Sequence, residues 1–345
     1  MIDKDFCMSS FLSFRFVADS NREWAKSWYQ EPRWSCADKP QTNVRCADEL
    51  TERLRQIVKE HIKGKKVGLL LSSGMDSAIL AGMLPKGALA YTVNFEGGYD
   101  EASPAKEYAN KFELNHKIME INWSHYLNHS RYLMTETKAP LHPVMIPLYL
   151  MAKQAKLDKL DLVISGCSAD SRFLGLDKLL SQDWPVEEFA KRYTFVDPNL
   201  VLNDPVSMLP IYEKFRGEDG NISLKKFILE TQNCDCFYDA VEAADMTLLN
   251  PFEFVTLSEN LWDENLKKLR NEKIGKPMIV EVFKKIYGYD PPLKQAFPRP
   301  MNRFLENWSG PKRKEFKKID LSTLTGDQKY LIFSLEWFLK IIDGE

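Results

Sequence analysis

The stretch VGLLLSSGMDSAILAGML, residues 67–84, decides the fold. Val67, Leu69, Leu70 and Leu71 make an apolar run of the kind a parallel sheet buries on both faces. Ile79, Leu80 and Met83 follow at helical spacing. Between strand and helix lies a turn of small residues, Ser72 to Ser77, which leaves N–H groups at a helix start pointing outward. Such a turn suits an anion, most often phosphate. It is not a Walker A loop, because it lacks both the GxxxxGK[ST] pattern and its lysine. Phosphate would be held by N–H groups, by the hydroxyls of Ser72, Ser73 and Ser77, and by a metal. Asp76 makes chemical sense beside phosphate only with Mg²⁺ between them; read on residue type alone, it could equally cap the helix.

Working outward, "GALAYTVNF" (87–95), "KIMEI" (117–121) and "LDLVISG" (160–166) read as further strands. The helix "SPAKEYANKF" (103–112) and two helical segments over about 124–156 separate them. Leu50, Leu54, Ile57 and Val58 share one face of a helix before the opening strand. This alternation predicts an α/β fold, a doubly wound parallel sheet with ligands at the carboxyl ends of its strands. "FLSFRFV" (11–17) reads as a strand, and residues 18–46 as polar, Trp-rich and irregular. From about 184 the pattern becomes helices broken by Pro-containing loops, without clear strands. The expected organisation is an N-terminal extension (1–46), a nucleotide-binding core (47–183) and a helical C-terminal half (184–345). The closing "YLIFSLEWFLKII" (330–342) reads as a docked core helix.

The composition narrows the function classes. Lys and Arg total 47 against 49 Asp and Glu, a net charge of −2 over 345 residues. That balance provides no electrostatic footprint for nucleic acid or an anionic membrane. The start, MIDKDFCMSS, lacks the apolar run of a signal peptide, so a cytoplasmic location is expected. Cys7, Cys36, Cys46, Cys167, Cys234 and Cys236 form no CxxC pair and are expected to be free thiols.

Ser-Ser-Gly-Met-Asp-Ser resembles the SGGxDS pyrophosphate loop of the N-type ATP pyrophosphatases (the PP-loop, adenine nucleotide alpha hydrolase-like fold). Further segments resemble one family among them, the asparagine synthetases. They are "VNFEGGYDEASPAKEYANKFELNH" (93–116), "LVISGCSADSRFLG" (162–175), "AVEAADMTLLNPFEF" (240–254) and "LKQAFPRPMNRFLENW" (293–308), in the family's order. The resemblance implies ATP as substrate, with Ser72, Ser73, Gly74, Met75, Asp76 and Ser77 around its pyrophosphate. It implies Mg²⁺ shared by Asp76 and Asp170. The backbone at Leu71, Val93, Ser165 and Gly166 would border the nucleotide, and Lys294 would reach the α-phosphate. Glu101 and Cys167 join Lys294 as candidate catalytic residues, while His116 reads as structural.

Departures from the family pattern lie on the side of the second substrate. Cys167 stands where the family carries an acid that handles ammonia, Ser171 replaces a second acid, and Phe254 stands at the P-F-L-D aspartate, next to Glu253. No glutaminase domain is expected within residues 1–46. Nitrogen would then be free ammonia, ammonia from a separate glutaminase, or an amine already on a substrate. The leading expectation is a ligase that adenylates a small-molecule or carrier-borne carboxylate and passes the acyl group to ammonia or an amine, in a biosynthetic tailoring role. Its rivals are a PP-loop enzyme modifying RNA or bases, and a nucleotide-binding regulator that has lost catalysis.

Overall fold

Five parallel strands carry the site. A computed structural model describes residues 1–29, 41–231, 235–292 and 299–345. The sheet strands are β2 (Val67–Leu70), β3 (Leu89–Phe95), β4 (Asn115–Ile121), β5 (Leu162–Ile164) and β6 (Thr247–Leu249), in the spatial order β4-β3-β2-β5-β6. The order reverses between β2 and β5, and in open α/β sheets ligands bind at such a switch point. Alternate residues feed opposite layers. Leu69, Leu71 and Ile164 pack into one apolar cluster with α2 (Ala47–Ile62), α3 (Met75–Ala81) and α4 (Ala102–Lys111). Leu70, Val163 and Leu248 pack into the other with α5 (Trp123–Thr137) and α6 (Met145–Leu157). The doubly wound parallel sheet is therefore as expected.

Two expectations need correction. Residues 11–17 are not a strand: α1 spans Lys4–Phe14, capped by the Asp3 carboxylate, which accepts the Phe6 N–H at 3.1 Å. The apparent alternation arises because Ser9, Ser10 and Ser13 are as buried as Phe11 and Leu12. The N-terminal region packs into the rest of the fold. β1 (Thr42–Val44) pairs in parallel with β7 (Val255–Leu257), and Cys7, Met8, Phe11 and Leu12 share a core with the helix Gly326–Ile342. Finally, the C-terminal half is not purely helical. It supplies β6, which closes one edge of the sheet beside β5. The closing helix is docked as expected, with Leu331, Leu335, Phe338 and Leu339 fully buried. Among the described residues, no helix is long and apolar enough to cross a membrane.

Candidate active site

The opening turn connects β2 to α3, whose first turn presents its N–H groups at the carboxyl edge of the sheet. The loop is wired internally. The Ser72 N–H donates to Ser77 Oγ at 3.0 Å, the Gly74 N–H to Ser72 Oγ at 3.2 Å, and the Ser73 N–H to Glu101 Oε2 at 2.8 Å. Glu101 is 2% exposed. Its carboxylate thus braces the loop backbone from the start of α4 while lining the same cavity.

The second strand end meets this loop at close range. A side chain at Gly166 would place its Cβ 2.9 Å from the Ser77 nitrogen and 3.0 Å from Asp76 Cβ, so only glycine lets the two strand ends approach. Beyond it, Ser168 adopts φ 71° and starts the short helix α7 (Ala169–Arg172), which carries Asp170. Ser168 Oγ donates to Glu253 Oε1 at 3.1 Å, and the Tyr238 hydroxyl donates to Glu253 Oε2 at 2.7 Å. Glu253, 1% exposed, therefore holds this loop in place instead of facing a substrate. Gly175 leaves room for Asp170, since a Cβ there would lie 2.1 Å from its Oδ1.

Asp76 and Asp170, 94 residues apart in sequence, converge. Both reach the ammonium of Lys276, at 2.5 Å and 2.9 Å. Lys276 precedes the helix Pro277–Tyr287, sits at φ 51°, and has a side chain 3% exposed. Burial opposes its charge, but the Asp76 and Asp170 carboxylates outweigh burial and hold its pKa above the ordinary lysine value. Sequence reasoning missed Lys276. Its one local signal was a Gly-Lys-Pro at a helix start, and nothing in that tripeptide announces a partner 200 residues away.

Both aspartates, the loop 72–77, Leu71, Val93, Glu101 and residues 165–168 line one cavity of about 1260 Å³. No group of three or more metal-binding side chains occurs among the described residues. Two converging carboxylates nevertheless match the donor set of Mg²⁺, which commonly takes one or two carboxylates and completes its shell with phosphate and water. Cys167 lines the cavity too, but it is disulfide-bonded and so is not the free thiol expected. Disulfide geometry depends on which sulfurs the fold brings together, which cysteine spacing does not reveal. Cys7, Cys46 and Cys236 are free. His116 bonds Thr92 Oγ1 at 2.7 Å and is absent from the cavity lining, as befits a structural residue. Lys294, Cys36 and Cys234 lie outside the described residues.

A family model described as asparagine synthase matches residues 49–232, more than half of the chain. No curated protein matches it in sequence. Among solved structures it is similar to a U34-tRNA thiolase from Methanococcus maripaludis, with a [4Fe-4S] cluster, at 16% identity, 86% of this chain, 80% of that one and a TM-score of 0.33. It is also similar to the NMN synthetase of Francisella tularensis, at 12% identity, 71% and 94% coverage and a TM-score of 0.29. The NAD⁺ synthetase of Burkholderia pseudomallei follows at 11% identity, 69% and 94% coverage and a TM-score of 0.26. These likenesses are too loose to carry a functional argument.

Proposed function

Because this chain belongs to the asparagine synthase family, we propose that it is an ATP-dependent amide-forming ligase that releases AMP and pyrophosphate. One observation carries the reading: aspartates from two different strand ends meet in one cavity, beside a strand-turn-helix loop at the sheet's switch point.

A carboxylate is a poor electrophile because attack on it would have to expel oxide. Transfer of AMP to the carboxylate oxygen, with pyrophosphate leaving, creates an acyl adenylate. Ammonia or an amine then attacks the acyl carbon and AMP departs. The loop 72–77 would hold the pyrophosphate portion, and backbone at Leu71, Val93, Ser165 and Gly166 would border the nucleoside. Asp76 and Asp170 would hold Mg²⁺, which supplies charge neutralisation for the phosphates. Lys276, paired with one oxygen of each carboxylate, adds a buried positive charge beside the phosphates, fixed before the reaction begins, and charge preorganised in this way lowers barriers most effectively. Lys294 is assigned to the α-phosphate on the resemblance alone. The altered second-substrate side, with Cys167 and Ser171 in place of acids, supports a tailoring acid or amine over aspartate and ammonia.

Pyrophosphate release from Mg-ATP, followed while pools of small carboxylic acids and amines are offered, tests the proposal. Release should depend on an acid. Asp76→Asn and Asp170→Asn should each reduce it to background, with near-normal release from either variant ending the assignment.

A further inference from the structure

The turn 72–77 carries no lysine of its own, so the positive charge that meets a triphosphate there must come from elsewhere in the chain. Among the described residues, three lysines line the cavity: Lys273, Lys276 and Lys284. Two of them are already engaged. Lys276 is held between Asp76 and Asp170, at 2.5 Å and 2.9 Å, and Lys284 Nζ lies 2.5 Å from Asp290 Oδ1. Lys273 has no carboxylate within ion-pair distance among the described residues. It is exposed and lines the cavity at once, which puts it on the rim.

The fold fixes this lysine from two sides. Lys273 ends the helix Glu259–Glu272 as a left-handed cap, with φ 60° and its N–H donating to Leu269 O at 3.0 Å. Glycine is what such a cap favours, and sparsely populated backbone of this kind clusters at functional sites. The turn from Lys273 to Lys276 is tied to the segment that carries Asp170. The Lys276 N–H donates to Leu174 O at 3.2 Å, and Gly275 runs so close to Asp177 that a Cβ there would meet its Oδ1 at 2.5 Å. On the other side, the Tyr287 hydroxyl donates to Ala78 O at 2.8 Å, which ties the helix Pro277–Tyr287 to α3 and so to the turn 72–77. Lys276, Val280 and Lys284, spaced four residues apart, turn one face of that segment to the cavity.

Charge accounting shows what is missing. Asp76, Asp170 and Lys276 together carry one net negative charge; with Mg²⁺ bound, the group carries one positive charge against roughly four negative charges on the phosphate chain of ATP. When a carboxylate oxygen bonds to the α-phosphorus, the bond from that phosphorus to the bridging oxygen breaks, and its electron pair leaves with pyrophosphate. Negative charge therefore grows on the terminal phosphates, where a further fixed cation is worth most.

Resting on the ligase reading, we infer that Lys273 is a catalytic residue whose ammonium holds the β- and γ-phosphates of ATP and then the departing pyrophosphate. The test is calorimetric titration of the full chain with Mg-pyrophosphate, Mg-ATP and AMP. Lys273→Gly should bind Mg-pyrophosphate and Mg-ATP about ten- to a hundredfold more weakly than wild type, the loss expected of one charge-assisted hydrogen bond, and AMP as well as wild type does. It should melt no lower than wild type, since glycine suits the left-handed cap. Lys273→Arg should recover part of the affinity. Lys268→Gln removes an exposed lysine of the same helix that is absent from the cavity lining, and it should change nothing. Wild type that binds no Mg-pyrophosphate overturns the inference. Undiminished binding in Lys273→Gly also overturns it, and leaves the ligase reading in place. An equal loss for AMP overturns the assignment to the terminal phosphates, and an equal loss in Lys268→Gln overturns direct contact. Should Mg-pyrophosphate binding depend on Lys273 while no acid elicits pyrophosphate release from Mg-ATP, the ligase reading falls and the phosphate contact stands.

Discussion

Lys276 is the residue on which the site's electrostatics turn. Two carboxylates facing each other would repel, and the ammonium between them removes that repulsion. Replacing it with methionine keeps the length and removes the charge. Lys276→Met should lower pyrophosphate release by roughly two orders of magnitude, as loss of a preorganised charge partner does, in a steady-state assay at saturating Mg-ATP. The loop itself was legible in the sequence because strand, turn and helix follow one another within eighteen residues. Asp76 and Asp170 could be paired on the resemblance. Lys276 could not, because what makes it a site residue is burial between elements that meet only in the folded chain. A second residue-scale consequence concerns pH. His142 has a folded-state pKa depressed below the ordinary 6.5, so the unfolded chain takes up its proton first. The stability present above about pH 6.5 is therefore lost as pH falls below it. His116 and His129 are depressed by burial in the same sense. Melting temperature should drop between pH 7 and pH 5, and His142→Gln should make that drop shallower in thermal scans.

Among the elements, α1 departs furthest from its sequence reading. Phe14 and Phe16 flank Arg15 and imitate a strand's alternation, while serines at 9, 10 and 13 conceal the helical period. The hydroxyls explain why such residues can be buried. Ser10 Oγ donates to Phe16 O at 2.9 Å and accepts the Ala18 N–H at 2.8 Å, and Ser9 Oγ accepts the Val206 N–H at 2.9 Å. Helix α1 is also stitched to the later chain, with the Val196 N–H donating to Leu12 O at 2.9 Å. It thus behaves as core. Phe11→Ala should cost about 3–5 kcal/mol of unfolding free energy, the usual range for a buried phenylalanine, measured by urea denaturation. A change below 1 kcal/mol would mark α1 as a peripheral arm. Strand β6 escaped notice for a different reason: Thr-Leu-Leu is too short to show any period, and only its partner β5 makes it a strand.

At the scale of the molecule, the site is shared among distant parts of the chain. The loop 72–77 and Asp170 come from the first half, Lys276 and Glu253 from the second, and Arg15 from the first helix. Across residues 46 and 183, β1 pairs with β7 and β5 with β6, so the early and late segments interleave. Periodicity revealed the order of elements but not this interleaving, which is set by packing between segments hundreds of residues apart. The most direct measurement follows a single oxygen atom. The full chain is given Mg-ATP, an amine mixture and small carboxylic acids whose carboxyl oxygens have been exchanged to ¹⁸O, and the products are read by mass spectrometry. Activation as an acyl adenylate predicts one ¹⁸O atom in the AMP formed and none in pyrophosphate. Label appearing in inorganic phosphate with ADP as co-product, or AMP formed without label and only when RNA is added, would contradict the account.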